Sequence, residues 1–122
     1  MEVVYMKLGQ IAVNVDDLTR AVVFYKEVIG LPLLFEMDGL AFFQCGETRL
    51  LLSRPEREEF NHPSSILYFK VDDLNSEVSR MKAAGATFID EPHLVAKVGD
   101  IETWMVFFKD TEGNTHALMS EV

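Results

Sequence analysis

The chain has 122 residues and a mass of 13.9 kDa, enough for one domain with a real core and too few for a second independent one. Hydrophobic residues make up 48% and charged residues 25%, the balance of a globular chain rather than a disordered one. A net charge of −9, from 11 basic and 20 acidic residues, argues against a nucleic-acid partner and an anionic membrane surface, both of which select concentrated basic faces.

Residues 8 to 15 alternate with period two, placing Ile11, Val13 and Val15 on one face and Gln10, Ala12 and Asn14 on the other, which predicts a strand. The acid in Met1-Glu2-Val3-Val4-Tyr5-Met6-Lys7, ahead of that strand, is unlike a signal peptide, and the longest apolar runs are a few residues, so no membrane is expected and the location is read as cytoplasmic. Asp16 or Asp17 caps a helix whose apolar positions, from Leu18 through Phe24, Tyr25 and Val28, follow helical spacing to Ile29, where Gly30 ends it. Strands follow at Leu33 to Met37, Leu40 to Gln44 and Thr48 to Ser53. Cys45, the single cysteine, lies in the last of the turns between them and reads as structural rather than nucleophilic. Residues 54 to 64 are charged, carry two prolines and read as a solvated linker containing His62.

The order then repeats. A strand from Ile66 to Val71 leads through Asp72-Asp73 into a helix from about Leu74 to Ala84, and strands follow at Ala86 to Asp90, Glu102 to Phe108 and Thr115 to Ser120, with a longer excursion over 92 to 100. Val15-Asp16-Asp17-Leu18 returns as Val71-Asp72-Asp73-Leu74, and Phe42-Phe43 as Phe107-Phe108. Each copy, about 8 to 53 and 65 to 120, reads βαβββ, so one domain of two similar halves with a shared cavity is expected.

The Val-Asp-Asp-Leu strand ends, the helix closing Phe24-Tyr25-Lys26-Glu27-Val28-Ile29-Gly30-Leu31 and the segment Phe108-Lys109-Asp110-Thr111-Glu112-Gly113-Asn114 resemble the glyoxalase, bleomycin-resistance and extradiol-dioxygenase superfamily, the vicinal oxygen chelate fold, over nearly the whole chain. The resemblance implies an α+β fold in which two βαβββ modules form a curved, mixed, mostly antiparallel sheet around a ligand cup, commonly as a homodimer. It also implies where a metal would sit, because family enzymes hold one with the first and last strands of each module. Those positions fall on Gln10, Leu50, Ile66 and Ala117, the second and fourth by counting four residues from Gly46 and Gly113. One neutral amide among three hydrocarbons does not replace a divalent ion's hydration shell, so no metal and no other cofactor is expected.

Without a metal, alternation points to an apolar cup that adds Ala12, Thr48, Leu52, Tyr68, Thr115 and Met119, with Gln10 as a buried amide in need of a partner and Trp104 as a stacking surface. His116 is predicted to face away from the cup, whereas His93, in the excursion after Glu91-Pro92, is a candidate contact. The expected ligand-binding set is therefore Gln10, Leu50, Ile66, Tyr68, His93, Trp104, Ala117 and Met119, and the expected activity is sequestration of a small hydrophobic or aromatic compound. Two alternatives stand beside it. One is a lyase or isomerase with His93 or Tyr68 as acid/base, metal-independent or with an atypical metal site, and the other is an interaction module whose cup is filled by its own side chains.

Overall fold

The computed structural model describes residues 6–122, so the expectation about the amino-terminal residues 1–5 lies outside the described part. Strand β1 (Gln10–Asn14) buries Val13 completely, and the chain bends at Asp17, whose carboxylate accepts from the Arg20 N–H at 3.0 Å and caps helix α1 (Leu18–Val23). That helix continues as a π-helical turn over Phe24–Ile29, with the Gly30 and Leu31 N–H groups both donating to the Tyr25 carbonyl. The wider turn lets two consecutive aromatic residues point inward. Phe24 packs toward Phe108, and Tyr25 toward both Phe43 and His116. Gly30 ends the segment at φ 91, where a side chain would be strained.

Strands β2 (Leu33–Met37), β3 (Leu40–Cys45) and β4 (Thr48–Ser53) complete a first sheet of order β1-β4-β3-β2. Strand β1 runs parallel to β4, and the other pairs are antiparallel. After the linker come β5 (Leu67–Lys70), α2 (Leu74–Ala83, capped by Asp73 on the Ser76 N–H), β6 (Thr87–Phe88), β7 (His93–Val98), β8 (Ile101–Lys109) and β9 (Thr115–Glu121). They form a second sheet of order β5-β9-β8-β6, again with one parallel pair, β5 with β9. The fold is α+β with two mixed, mostly antiparallel sheets. The excursion over 92 to 100 is a strand rather than a loop: β7 pairs antiparallel with β8 through a tight turn at Gly99-Asp100.

Both sheets turn their apolar faces to the helices. Val13, Phe43, Leu50 and Leu52 line the first, and Val106, Phe108 and Leu118 the second, against Ala21, Phe24, Tyr25, Val78 and Met81. Polar groups tie the halves together. Glu112, in the turn before β9, accepts from the Asp16 and Asp17 N–H groups at 2.9 and 2.8 Å and from the Arg20 Nε at 2.8 Å, although its side chain is 1% exposed. Burial alone would raise its pKa, but the Arg20 guanidinium, the Asp17 and Asp16 N–H groups and the Thr111 hydroxyl hold it down to about 2. Arg80 of α2 donates to the Val28 and Ile29 carbonyls, satisfying the open end of the π-turn from across the molecule.

Between the sheets Tyr25 Oη lies 2.6 Å from Asp110 Oδ2 and 2.7 Å from His116 Nε2. Asp110 also accepts from the Glu112 N–H, the Asn114 N–H and the Asn114 amide. The Asp110 carboxylate accepts the phenol O–H, so His116 donates from Nε2 to Tyr25, and among the described residues His116 Nδ1 is buried without a partner. Burial holds His116 down to about 4 against the pull of Asp110, and burial pushes Tyr25 far up.

Candidate functional site

Because registered partners in neighbouring strands share a face, the ladders decide which residues point away from the core. In the first sheet the outward row runs through Gln10 and Arg49, Ala12 and Leu51, and Asn14 and Ser53, with Leu51 opposite Phe42 and Phe42 opposite Phe35. Phe35 and Phe42 stack at 4.5 Å, and the Arg49 guanidinium lies 5.7 Å from the centre of the Phe42 ring. In the second sheet Tyr68 pairs with Ala117 and Ala117 with Phe107. Alanine between two aromatic neighbours lets their rings meet above it. Tyr68 and Phe107 are edge to face at 6.1 Å, and His93 stacks on Phe107 at 6.3 Å. Each sheet thus presents a three-member aromatic or cationic ladder on its outward face, and both stay partly open, with Phe35 44% and Tyr68 47% exposed.

A cleft of about 440 Å³ lies on the outward face of the first sheet, bounded by Ala12, Leu40 and Leu51 and by Phe60 and His62 of the linker. The linker is solvated as expected, but it is also pinned: the Asn14 amide donates to the Phe60 and His62 carbonyls, both at 2.8 Å. A smaller cleft of about 250 Å³ opens at the seam between the sheets, lined by Arg49, Leu50, Ile66, Leu67 and Tyr68 among others.

The structure distributes the sequence-derived residues over several places. Tyr68, His93, Ala117 and Met119 share the outward face of the second sheet, with Met105 paired to both His93 and Met119. Ile66 stands just before β5 at the seam, 44% exposed. Gln10 is on the outward face of the first sheet, but its side chain is exposed rather than buried, which removes the expectation of an amide in need of a partner. Leu50 is 3% exposed in the core and only edges the seam cleft, and Leu52 is fully buried on the same side. Counting from the turn glycines misphased this strand: β3 and β4 join through Gly46-Glu47, whereas Asp110 to Asn114 separate β8 from β9, so the partner of Ala117 in the first sheet is Leu51. Trp104 faces inward in the row of Val106 and Phe108, half-buried, and its indole N–H donates to Glu102 at 3.1 Å.

His93 is the first residue of β7, not a loop residue. Its Nδ1 lies 2.9 Å from the Glu91 carbonyl and 3.7 Å from the Asp90 carboxylate. A carbonyl only accepts, so Nδ1 carries the proton that bonds Glu91. Phe35, Phe42, Phe107 and Arg49 were missed from sequence. The repeated Phe-Phe pairs carried their signal, since alternation must send one ring of each pair inward and the other outward.

The corrected metal positions read Gln10, Leu51, Ile66 and Ala117, and the residue in register with Gln10 is the cation Arg49. Among the described residues no group of three or more His, Cys, Asp or Glu comes together. This donor set does not fit the divalent ion that the fold implies.

The fold and the matching sequence profile define the class. Residues 7–118 match the Glyoxalase/Bleomycin resistance protein/Dioxygenase superfamily, and the chain belongs to it. It is 31% identical to the protein YraH of Bacillus subtilis, described as uncharacterized, over 89% of this chain and 94% of that one. Among solved structures it is similar to TnmS3, an antibiotic binding protein from Streptomyces sp. CB03234, with a TM-score of 0.78 at 21% identity, covering 99% of this chain and 100% of that one. It is also similar to the lactoylglutathione lyase of Agrobacterium tumefaciens, with a TM-score of 0.70 at 24% identity, covering 93% and 92%.

Proposed function

We propose that this chain is a metal-independent binding protein that sequesters a small hydrophobic or planar aromatic compound in the cytoplasm, working as a homodimer. The observation that carries the reading is the pair of outward ladders, Arg49-Phe42-Phe35 and Tyr68-Phe107-His93. Flat aromatic walls that are half open to water gain from stacking against a planar ligand, and each exposed ring buried this way adds apolar contact plus an orientation preference. The ladders lie on different sheets, each facing away from the shared core. A second copy that sets the first sheet of one chain against the second sheet of the other closes a cup with Gln10 and Leu51 on one wall and Tyr68, Ala117 and Met119 on the opposite wall. Ile66 and Leu50 line the seam at its base, and Trp104 supports the wall from behind. That TnmS3 is described as an antibiotic binding protein supports the reading.

Titration of anthraquinone-2-sulfonate into the purified protein by calorimetry, with sedimentation to define the oligomer, tests it. Saturable binding to a dimer is expected, weakened about 2- to 10-fold by Phe42→Ala and by Phe107→Ala and unchanged by added divalent ions. Failure to bind, or binding indifferent to both substitutions, removes the reading. A second reading, a lyase or isomerase, draws on His93 and Tyr68 standing on the same outward face, one on each side of Phe107, as separate acid/base candidates. Turnover that is lost in His93→Gln would favour it.

A further inference from the structure

A larger cleft, of about 520 Å³, lies on the inward side of the second sheet, where the start of α2 meets the inward row of β8 and the end of β9. One wall is Trp104, whose side chain turns to the opposite side of β8 from Phe107. Asp72, Asp73 and Glu91 stand around it, Pro92 and Val122 add apolar surface, and no lysine or arginine lines it. Asp73 is already engaged, accepting from the Ser76 N–H at 3.1 Å, and so offsets the positive end of α2. Among the described residues neither Asp72 nor Glu91 forms an ion pair.

A separate observation marks the cleft as more than an acidic surface. Counted over the whole residue, the buried polar residues of the described chain are Asp110, His116 and Ser120. The first two bond to Tyr25 between the sheets. Ser120 is 4% exposed, lines this cleft, and its hydroxyl has no hydrogen-bond partner among the described residues. The Oγ is not sealed off, since among the described residues His116 Nδ1 is the one fully enclosed side-chain polar atom without a partner, so the hydroxyl keeps a donor and an acceptor for a group bound in the cleft.

We infer that this cleft is a binding site for a small organic cation, of the alkylammonium class carrying a hydroxyl or similar polar group. The indole face attracts a cation through its quadrupole, and the Glu102 carboxylate that accepts the indole N–H increases the electron density of that face. Asp72 and Glu91 supply unpaired negative charge, Pro92 and Val122 contact the alkyl shell, and the Ser120 hydroxyl meets the polar group. A bare metal ion fits this surface poorly, because the indole is no ligand and the carboxylates do not gather into a coordinating group.

Trp104 is the only tryptophan in the chain, so its emission reports the site directly. Choline titrated into the full chain is expected to produce a saturable change that the uncharged isostere 3,3-dimethyl-1-butanol does not produce. Glu91→Gln and Asp72→Asn are each expected to raise the midpoint about threefold, and Ser120→Ala to raise it as well. Circular dichroism of each variant confirms folding, and calorimetry repeats the titration without relying on emission. A change that fails to saturate, that the alcohol reproduces, or that keeps its midpoint in both charge-removing variants overturns the assignment. Phe107→Ala leaves the midpoint unmoved, which separates this site from the outward ladders.

Discussion

Ile11 pairs with Leu50 in the first sheet, and Leu67 pairs with His116 in the second. Ile11 precedes Val15, and Leu67 precedes Val71, by the same interval, so a leucine and a histidine hold the same place in the two copies. Leu50 packs among Val13, Phe43 and Leu52 on an inner face whose buried residues are all hydrocarbon. His116 instead carries a directed chain of protons, from its own Nε2 to Tyr25 and from Tyr25 to Asp110. The difference teaches that the repeat preserves backbone order while the inner faces divide the work. The first sheet supplies packing alone, and the second supplies packing plus the polar link that orients the helix of the first half across both.

The comparison breaks most sharply at the aromatic centres. Phe43 and Phe108 are both 0% exposed and touch Tyr25 and Phe24 respectively, so truncation of either to alanine is expected to cost about 3–5 kcal/mol in urea unfolding. The two halves should unfold together in each variant, because they share one core.

A histidine in place of leucine also makes stability depend on pH. Burial holds His116 at about 4 in the folded chain, below the ordinary value of 6.5 that applies once the chain unfolds. The unfolded chain therefore takes up the proton first, and stability falls as pH drops from 6.5 toward 4, by about 3 kcal/mol in all. His116→Leu, which copies the first sheet, should flatten that interval in unfolding midpoints measured across pH. A slope unchanged by the substitution would show that His116 is not its source.

The smallest effect is expected at the link itself. Tyr25→Phe leaves Asp110 with the Glu112 and Asn114 donors and strands only His116 Nε2, a loss of about 1–3 kcal/mol. A thermal melt showing no change would mean that the phenol is not the partner holding the imidazole.

Much of the architecture was legible in the chain. The period-two runs, the paired Asp caps and the terminal glycine marked β1, α1, β4 and α2 to within a few residues, because those signals act within a strand or a turn of helix. The excursion over 92 to 100 was not legible as β7, since an exposed edge strand carries no apolar alternation, and its strand character comes from pairing with β8. The candidate site was legible in part. Alternation placed Tyr68, Ala117 and Met119 together on one face, and it could not show that Trp104 lies on the other or that Arg49 and Phe42 meet on the outward face of the first sheet.

What the sequence determined by itself is which side chains within each strand must share a face, and where helices begin and end. These follow from the stereochemistry of neighbouring residues. What only the tertiary structure decided is which face looks inward and how one strand's phase maps onto the next. That depends on turn length: a join of Gly46-Glu47 in one half and Asp110 to Asn114 in the other shifts the count by one residue and exchanges Leu50 for Leu51. A single step in a pleated strand turns every side chain over, so the identity of the outward wall waits on the ladder and not on the composition.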